Sequence, residues 1–231
     1  MQRKENGVMK YSITNAPFAI LTFQMEAGEE IKCQSGAMAW MTSGIEMQTK
    51  AGGLGGMFKK AVTGESMFYN NYVANSAGEL TLAKKAPGDI LAFDVASMPI
   101  IAQKGAFLAS SPATQMDIFL QKKLSAGFFG GEGFIMQKFS GSGMVFVEID
   151  GAAVEKSLAP GEKLTVDTGY VAAMEATCTM EIQTVKGVAN ILVGGEGLFN
   201  TVVTGPGKVW LQTMPLSNMA GAFAPYIAAS K

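Results

Sequence analysis

Apolar and polar residues alternate along many short stretches of the chain, the two-residue period of a β-strand with one face on a core. Ile31-Lys32-Cys33-Gln34, Leu80-Thr81-Leu82, Val145-Phe146-Val147-Glu148-Ile149, Leu164-Thr165-Val166-Asp167 and Met180-Glu181-Ile182-Gln183 follow it, and each is expected to turn its apolar positions to one side. Between such runs stands turn chemistry. Asn75-Ser76-Ala77-Gly78, Ser140-Gly141-Ser142-Gly143 and Gly205-Pro206-Gly207 read as tight hairpins, glycine supplying the positive φ. Many short strands with such breaks describe a β-sandwich, prism or barrel. Helical spacing is confined to the end: Pro215 suits a first turn before Leu216, Met219, Ala220 and Phe223, and Pro225 is expected to close the helix.

The pattern repeats. Residues 26–41 are answered by residues 159–174, and Ile45-Glu46-Met47-Gln48-Thr49 by Met180-Glu181-Ile182-Gln183-Thr184. The middle third carries a weaker copy, from Ala86-Pro87-Gly88-Asp89-Ile90 to Gly131-Glu132-Gly133-Phe134. The Gly-Glu anchors Glu65, Glu132 and Glu196 are nearly evenly spaced, as expected of a triplicated unit. The organisation expected is all-β. An N-terminal tail covers residues 1–9, and one β domain covers 10–214, built of three repeats at 10–85, 86–150 and 151–214 about a pseudo-threefold axis. A C-terminal helix and tail cover 215–231.

Composition narrows the function. The 231 residues contain no histidine, which excludes Ser-His-Asp and Cys-His catalysis and histidine-ligated metal centres. Lys+Arg 18 against Asp+Glu 19 leaves a net charge of −1, which disfavours nucleic acid and anionic membrane as non-specific partners. Cys33 and Cys178 form no CxxC pair and are expected to stay unbridged, in keeping with a reduced, cytoplasmic setting. The positive mean hydropathy of +0.21 is spread through short runs. No run approaches the roughly 20 apolar residues of a bilayer span.

The stretches "YSITNAPFAILTFQMEAGEEIKCQSGAMAWM", "GGLGGMFKKAVTGESMFYNNYVA" and "GGEGLFNTVVTGPGKVWLQTMP" resemble the bacterial and mitochondrial family named for altered inheritance of mitochondria. That family's fold is likened to the tryptophan RNA-binding attenuation protein, of double-stranded β-helix type. The resemblance covers nearly the whole chain after Met9. It implies three related sheet units in a sandwich or prism, a cytosolic bacterial setting and an unsettled biochemical role. It brings no catalytic constellation with it.

Three sets of residues are candidates for chemistry. Glu65, Glu132 and Glu196 would hold a hard cation if they converged on an axis, although repeated strand-start grammar explains them without a ligand. Lys50, Lys123 and Lys186 recur after the Gln48, Gln121 and Gln183 anchors and would form an anion-attracting rim, against the simpler reading of solvated strand flanks. The glycine-rich stretch 51–60 lacks a phosphate-loop pattern and presents Leu54, Met57 and Phe58, suited to a partner or to a peripheral membrane contact.

Few charges and 14 phenylalanines leave apolar area at the surface. Self-association is therefore expected, carried by Leu54, Met57, Phe58 and by Phe223 and Tyr226 near the C-terminus. The reading is a non-enzymatic homo-oligomeric scaffold or interaction protein without cofactor or metal, its protein partner unnamed by the sequence. The alternative is a small-molecule, anion or RNA-binding module that uses the threefold-related residues.

Overall fold

Short alternating runs separated by glycine-rich turns build sheets, and the structure, a computed structural model, describes residues 9–48, 69–122, 134–184 and 199–228. Strand predominates among these residues, in an all-β arrangement of four antiparallel sheets with one C-terminal helix. The first sheet runs β1 (Lys10–Thr14), β2 (Ile20–Met25), β7 (Gly78–Ala83) and β4 (Met38–Met41). The second runs β5 (Ile45–Gln48), β6 (Tyr69–Ala74), β3 (Glu30–Gln34), β10 (Phe107–Ser110), β13 (Met144–Asp150) and β8 (Gly88–Asp94). The third runs β11 (Thr114–Lys122), β12 (Phe134–Gly141), β9 (Ile100–Gln103), β16 (Val171–Glu175), β19 (Gly207–Gln212) and β14 (Ala153–Leu158). The fourth runs β15 (Lys163–Asp167), β18 (Phe199–Thr204) and β17 (Thr179–Thr184).

Strand numbers in the third sheet are those of the second raised by six, position by position. The same offset takes β2-β7-β4 of the first sheet to β8-β13-β10 of the second, and β9-β12-β11 of the third to β15-β18-β17 of the fourth. Fine structure follows it. The pairs β4–β7, β10–β13 and β16–β19 carry a register shift at the same place, between Met38/Trp40, Phe107/Ala109 and Val171/Ala173.

Three apolar cores lie between the sheets. Leu21, Phe23, Leu80 and Leu82 of the first sheet pack on Ile31, Cys33, Tyr72 and Phe146 of the second. Phe93, Phe107 and Val147 of the second meet Ile100, Phe139 and Trp210 of the third, and Met136, Val171 and Val209 of the third meet Ile182 and Val203 of the fourth. A fully buried side chain of this size contributes about 1.5–3 kcal/mol, so these layers carry the fold.

Two expectations change. The alternation in 145–149 predicts one buried face, but β13 is buried on both: Met144 and Phe146 enter the first core while Val145, Val147 and Ile149 enter the second. A strand in the middle of stacked sheets has no solvent side, so alternation no longer sorts inside from outside. The turns at 75–78, 140–143 and 205–207 are not hairpins. Each carries the chain from one sheet to the next, since β6 and β7, β12 and β13, and β18 and β19 lie in different sheets. Gly141 at φ +92° and Gly143 at φ +106° take the left-handed backbone that such an arch requires.

The C-terminal helix, α1 (Leu216–Ala228), starts after Pro215 as expected, with the Pro215 carbonyl accepting from Asn218 and Met219. It does not stop at Pro225, which lies inside it. Proline there forfeits one backbone bond, to the carbonyl of Gly221, and the helix continues past it.

Candidate functional site

Most residues singled out from sequence, namely Glu65, Glu132, Glu196, Lys50, Lys123, Lys186, Leu54, Met57 and Phe58, lie outside the described residues. Phe223 and Tyr226 lie on α1 and are 57% and 78% exposed. Ile227 and Leu216 are exposed beside them, and no residue of the helix is charged. Two side-chain contacts tie down its start. Its Leu216 N–H donates to Asp150 Oδ2 at 2.9 Å, and Asn218 Nδ2 donates to the Tyr170 hydroxyl at 2.8 Å.

A second exposed apolar element is β4, which sequence reading passed over. Met38, Trp40 and Met41 are all exposed, Trp40 by 49%. Trp40 Nε1 donates to Glu79 Oε1 at 3.1 Å, Gln24 Nε2 donates to Glu79 Oε2 at 2.9 Å, and these two bonds hold the Glu79 carboxyl below its usual range. β4 pairs with β7 on one side, and its other edge has no strand partner among the described residues.

The third feature is a buried charge cluster where the ends of β7 and β13 meet the start of α1. The Lys84 side chain is 1% exposed, its Nζ 2.7 Å from Asp150 Oδ1 and 3.9 Å from Glu148 Oε2. Glu148 Oε1 is buried with no hydrogen-bond partner. Burial pushes the Glu148 carboxyl up to about 7, Lys84 pulls it down, Asp150 pushes it up and Lys85 pulls it down. The Asp150 backbone N–H donates to Gln212 Oε1 at 3.0 Å, and Gln212 Nε2 donates to the Gly169 carbonyl at 2.8 Å. Close backbone contacts complete the junction: Phe18 bridges Gly88, and Gly88 bridges Gly151. Glu148 standing in an otherwise apolar run was the signal for this cluster, but alternation places it on a solvent face.

The cluster locks elements together. A surface recess is lined by Phe23, Gln24, Glu29, Glu30, Ser111 and Gly143, and none of the three charged residues borders it. No three Cys, Asp or Glu residues converge closely enough to hold a metal ion among the described residues. No helix among them is long and apolar enough to cross a membrane.

The model of a family described as mitochondrial biogenesis AIM24 matches residues 11–214. An uncharacterised protein of Streptococcus pyogenes serotype M6 is 28% identical over 233 residues, covering 96% of this chain and 92% of the relative. A crystal structure of a Streptococcus pyogenes protein superposes with a TM-score of 0.79 at 28% identity, covering 94% of this chain and 99% of that one.

Proposed function

The chain belongs to the mitochondrial biogenesis AIM24 family, and on that footing we propose that it works in the cytoplasm as a homo-oligomeric scaffold, presenting surfaces to other proteins and turning over no substrate. The observation that carries the reading is the apolar, uncharged α1, with Phe223, Tyr226 and Ile227 in solvent. Leaving such a helix exposed is unfavourable for a monomer and ordinary for a subunit. The body behind it supports the role. Three units near residues 10–85, 86–150 and 151–214 account for the six-strand offset between sheets, and such a repeat forms rigid surfaces at low sequence cost.

Light scattering on the full chain at micromolar concentration tests the reading. A mass above the 24.3 kDa of one chain is expected, falling when residues 216–231 are deleted. A mass of 24.3 kDa for the full chain overturns the scaffold. An unchanged higher mass after the deletion takes α1 out of the contact.

A further inference from the structure

The two middle sheets are each made of two halves. In the second, β5-β6-β3 meets β10-β13-β8 at the seam β3–β10; in the third, β11-β12-β9 meets β16-β19-β14 at the seam β9–β16. The first and fourth sheets are single halves. The first carries β4-β7-β2, the counterpart of β10-β13-β8, and the fourth carries β17-β18-β15, the counterpart of β5-β6-β3. The outer edges of β4 and β15 are therefore the two sides of a seam that the chain makes twice internally and that, among the described residues, has no third internal copy.

Burial agrees. β10 is buried at all four residues and β16 at four of its five, whereas all four residues of β4 are exposed. The three strands are alike in composition, Met-Ala-Trp-Met beside Phe-Leu-Ala-Ser and Val-Ala-Ala-Met-Glu. An apolar edge strand with open backbone groups is a template for pairing, and natural proteins cover it or charge it. β4 has no charge.

We propose that β4 of one chain pairs antiparallel with β15 of a second copy of the chain, head to tail, to build a sheet β17-β18-β15-β4-β7-β2-β1 across the subunit boundary. This rests on the homo-oligomeric reading above but is independent of α1. The internal seams set the register. Ala109 faces Cys33 and Ser110 faces Lys32; Ala173 faces Ala102 and Met174 faces Ile101. The bulges align Trp40 with Ala109 and Ala173, and the Gln34, Gln103 and Asp167 positions before the following turn align Val166 with Cys33 and Ala102. Trp40 then faces Val166 of the second copy, and Met41 faces Thr165. The outer face of the first sheet is polar where it flanks this seam. Thr22 and Thr81 hydroxyls lie 3.0 Å apart, and Gln24 and Trp40 both bond Glu79. The contact is a backbone ladder with a polar flank, so it forms and releases with concentration.

Because the contact is heterologous, its two sides fail separately. Met41→Lys spoils β4 and leaves β15 intact; Thr165→Lys does the reverse. Light scattering is expected to give each variant alone a lower mass than the wild-type chain, and the equimolar mixture, whose intact β4 and intact β15 can pair, a higher mass than either variant alone. Circular dichroism of each variant verifies that the strands remain. Should either variant fold poorly, oxidation of a Met41→Cys chain mixed with a Thr165→Cys chain reads the same seam, and a covalent mixed dimer is expected. Variants whose mass equals that of the wild type, a mixture no heavier than either variant, a Thr165→Lys chain indifferent where Met41→Lys loses mass, or no mixed disulfide each overturn the proposal. Of these, an oligomer that survives both lysines leaves the scaffold reading standing, while a monomeric wild type removes both.

Discussion

Lys84 Nζ lies 2.7 Å from Asp150 Oδ1, so the end of β7 and the end of β13 are joined by an ion pair whose lysine side chain is 1% exposed. Removing one partner of such a pair strands the other charge in a poorly solvated site, at a cost of about 3–5 kcal/mol. Lys84→Met is therefore expected to lower unfolding stability by about 3 kcal/mol, toward the small end because Asp150 keeps 21% of its side-chain exposure. Urea denaturation reads this as a lower midpoint with an unchanged slope. Pairing Lys84→Met with Glu148→Leu should restore part of the loss, since both ends of the 3.9 Å contact are then neutral.

The Glu148 carboxyl sits at about 7 against an ordinary 4.5, raised first by burial, lowered by Lys84, raised by Asp150 and lowered by Lys85. The folded protein thus holds a proton that the unfolded chain has released between those two values. Stability from this group is full below about pH 4.5 and is lost as pH rises to 7. The loss amounts to roughly 3 kcal/mol at about 1.4 kcal/mol per pH unit. Glu148→Gln should flatten the fall of unfolding free energy across that window. A slope identical in both proteins would place the proton elsewhere.

Gly88 has no room for a side chain. An added Cβ would run into the Ile149 carbonyl oxygen and crowd Lys84, while Gly105, in the turn between β9 and β10, has nothing within 4 Å of that position. Gly88→Ala is expected to destabilise by about 2 kcal/mol or more, the usual effect of overpacking against backbone. Gly105→Ala should be close to neutral. Thermal unfolding of the two variants side by side checks the contrast.

Alternation located strands well where one face is wet, as in β3 (Glu30–Gln34) and β17 (Thr179–Thr184), because there burial and sequence period coincide. It misplaced Glu148, since β13 is covered on both sides and a charge inside it is paired by Lys84 from another sheet, a contact 64 positions distant in sequence. Turn residues marked where Ser140-Gly141-Ser142-Gly143 reverses the chain. A hairpin and an arch between sheets need the same positive φ there, so the pairing partner was not legible. The exposure of Trp40 was equally hidden. Met38-Ala39-Trp40-Met41 has a core strand's composition, and only the position of β4 at the end of a sheet leaves it in solvent. α1 was read from helical spacing, with Phe223 and Tyr226 on its exposed surface; Pro225 did not end it, because the proline forfeits a single backbone bond and the helix continues past it.

The two thiols should react only through opening of the fold. Cys33 lies in the first core with no exposure, and burial pushes its thiol up to about 12; Cys178 lies in the third core at 2% exposure, its thiol raised by burial and then by Glu175. Both are free, and they belong to different cores. The thiolate is the nucleophile that attacks a thiol reagent, so a buried thiol of raised pKa is doubly protected. At pH 8 the folded chain should show almost no fast-reacting thiol, and two should appear together in denaturant. Cys178 should open first under native conditions: its Sγ donates to the carbonyls of Pro206 and Lys208, at 3.6 and 3.9 Å, near the arch between β18 and β19. Mass spectrometry of the partly labelled protein distinguishes the two sites. Prompt labelling of Cys33 would mean that the seam between β3 and β10 opens without global unfolding, and the first core would then be the least stable part of the molecule.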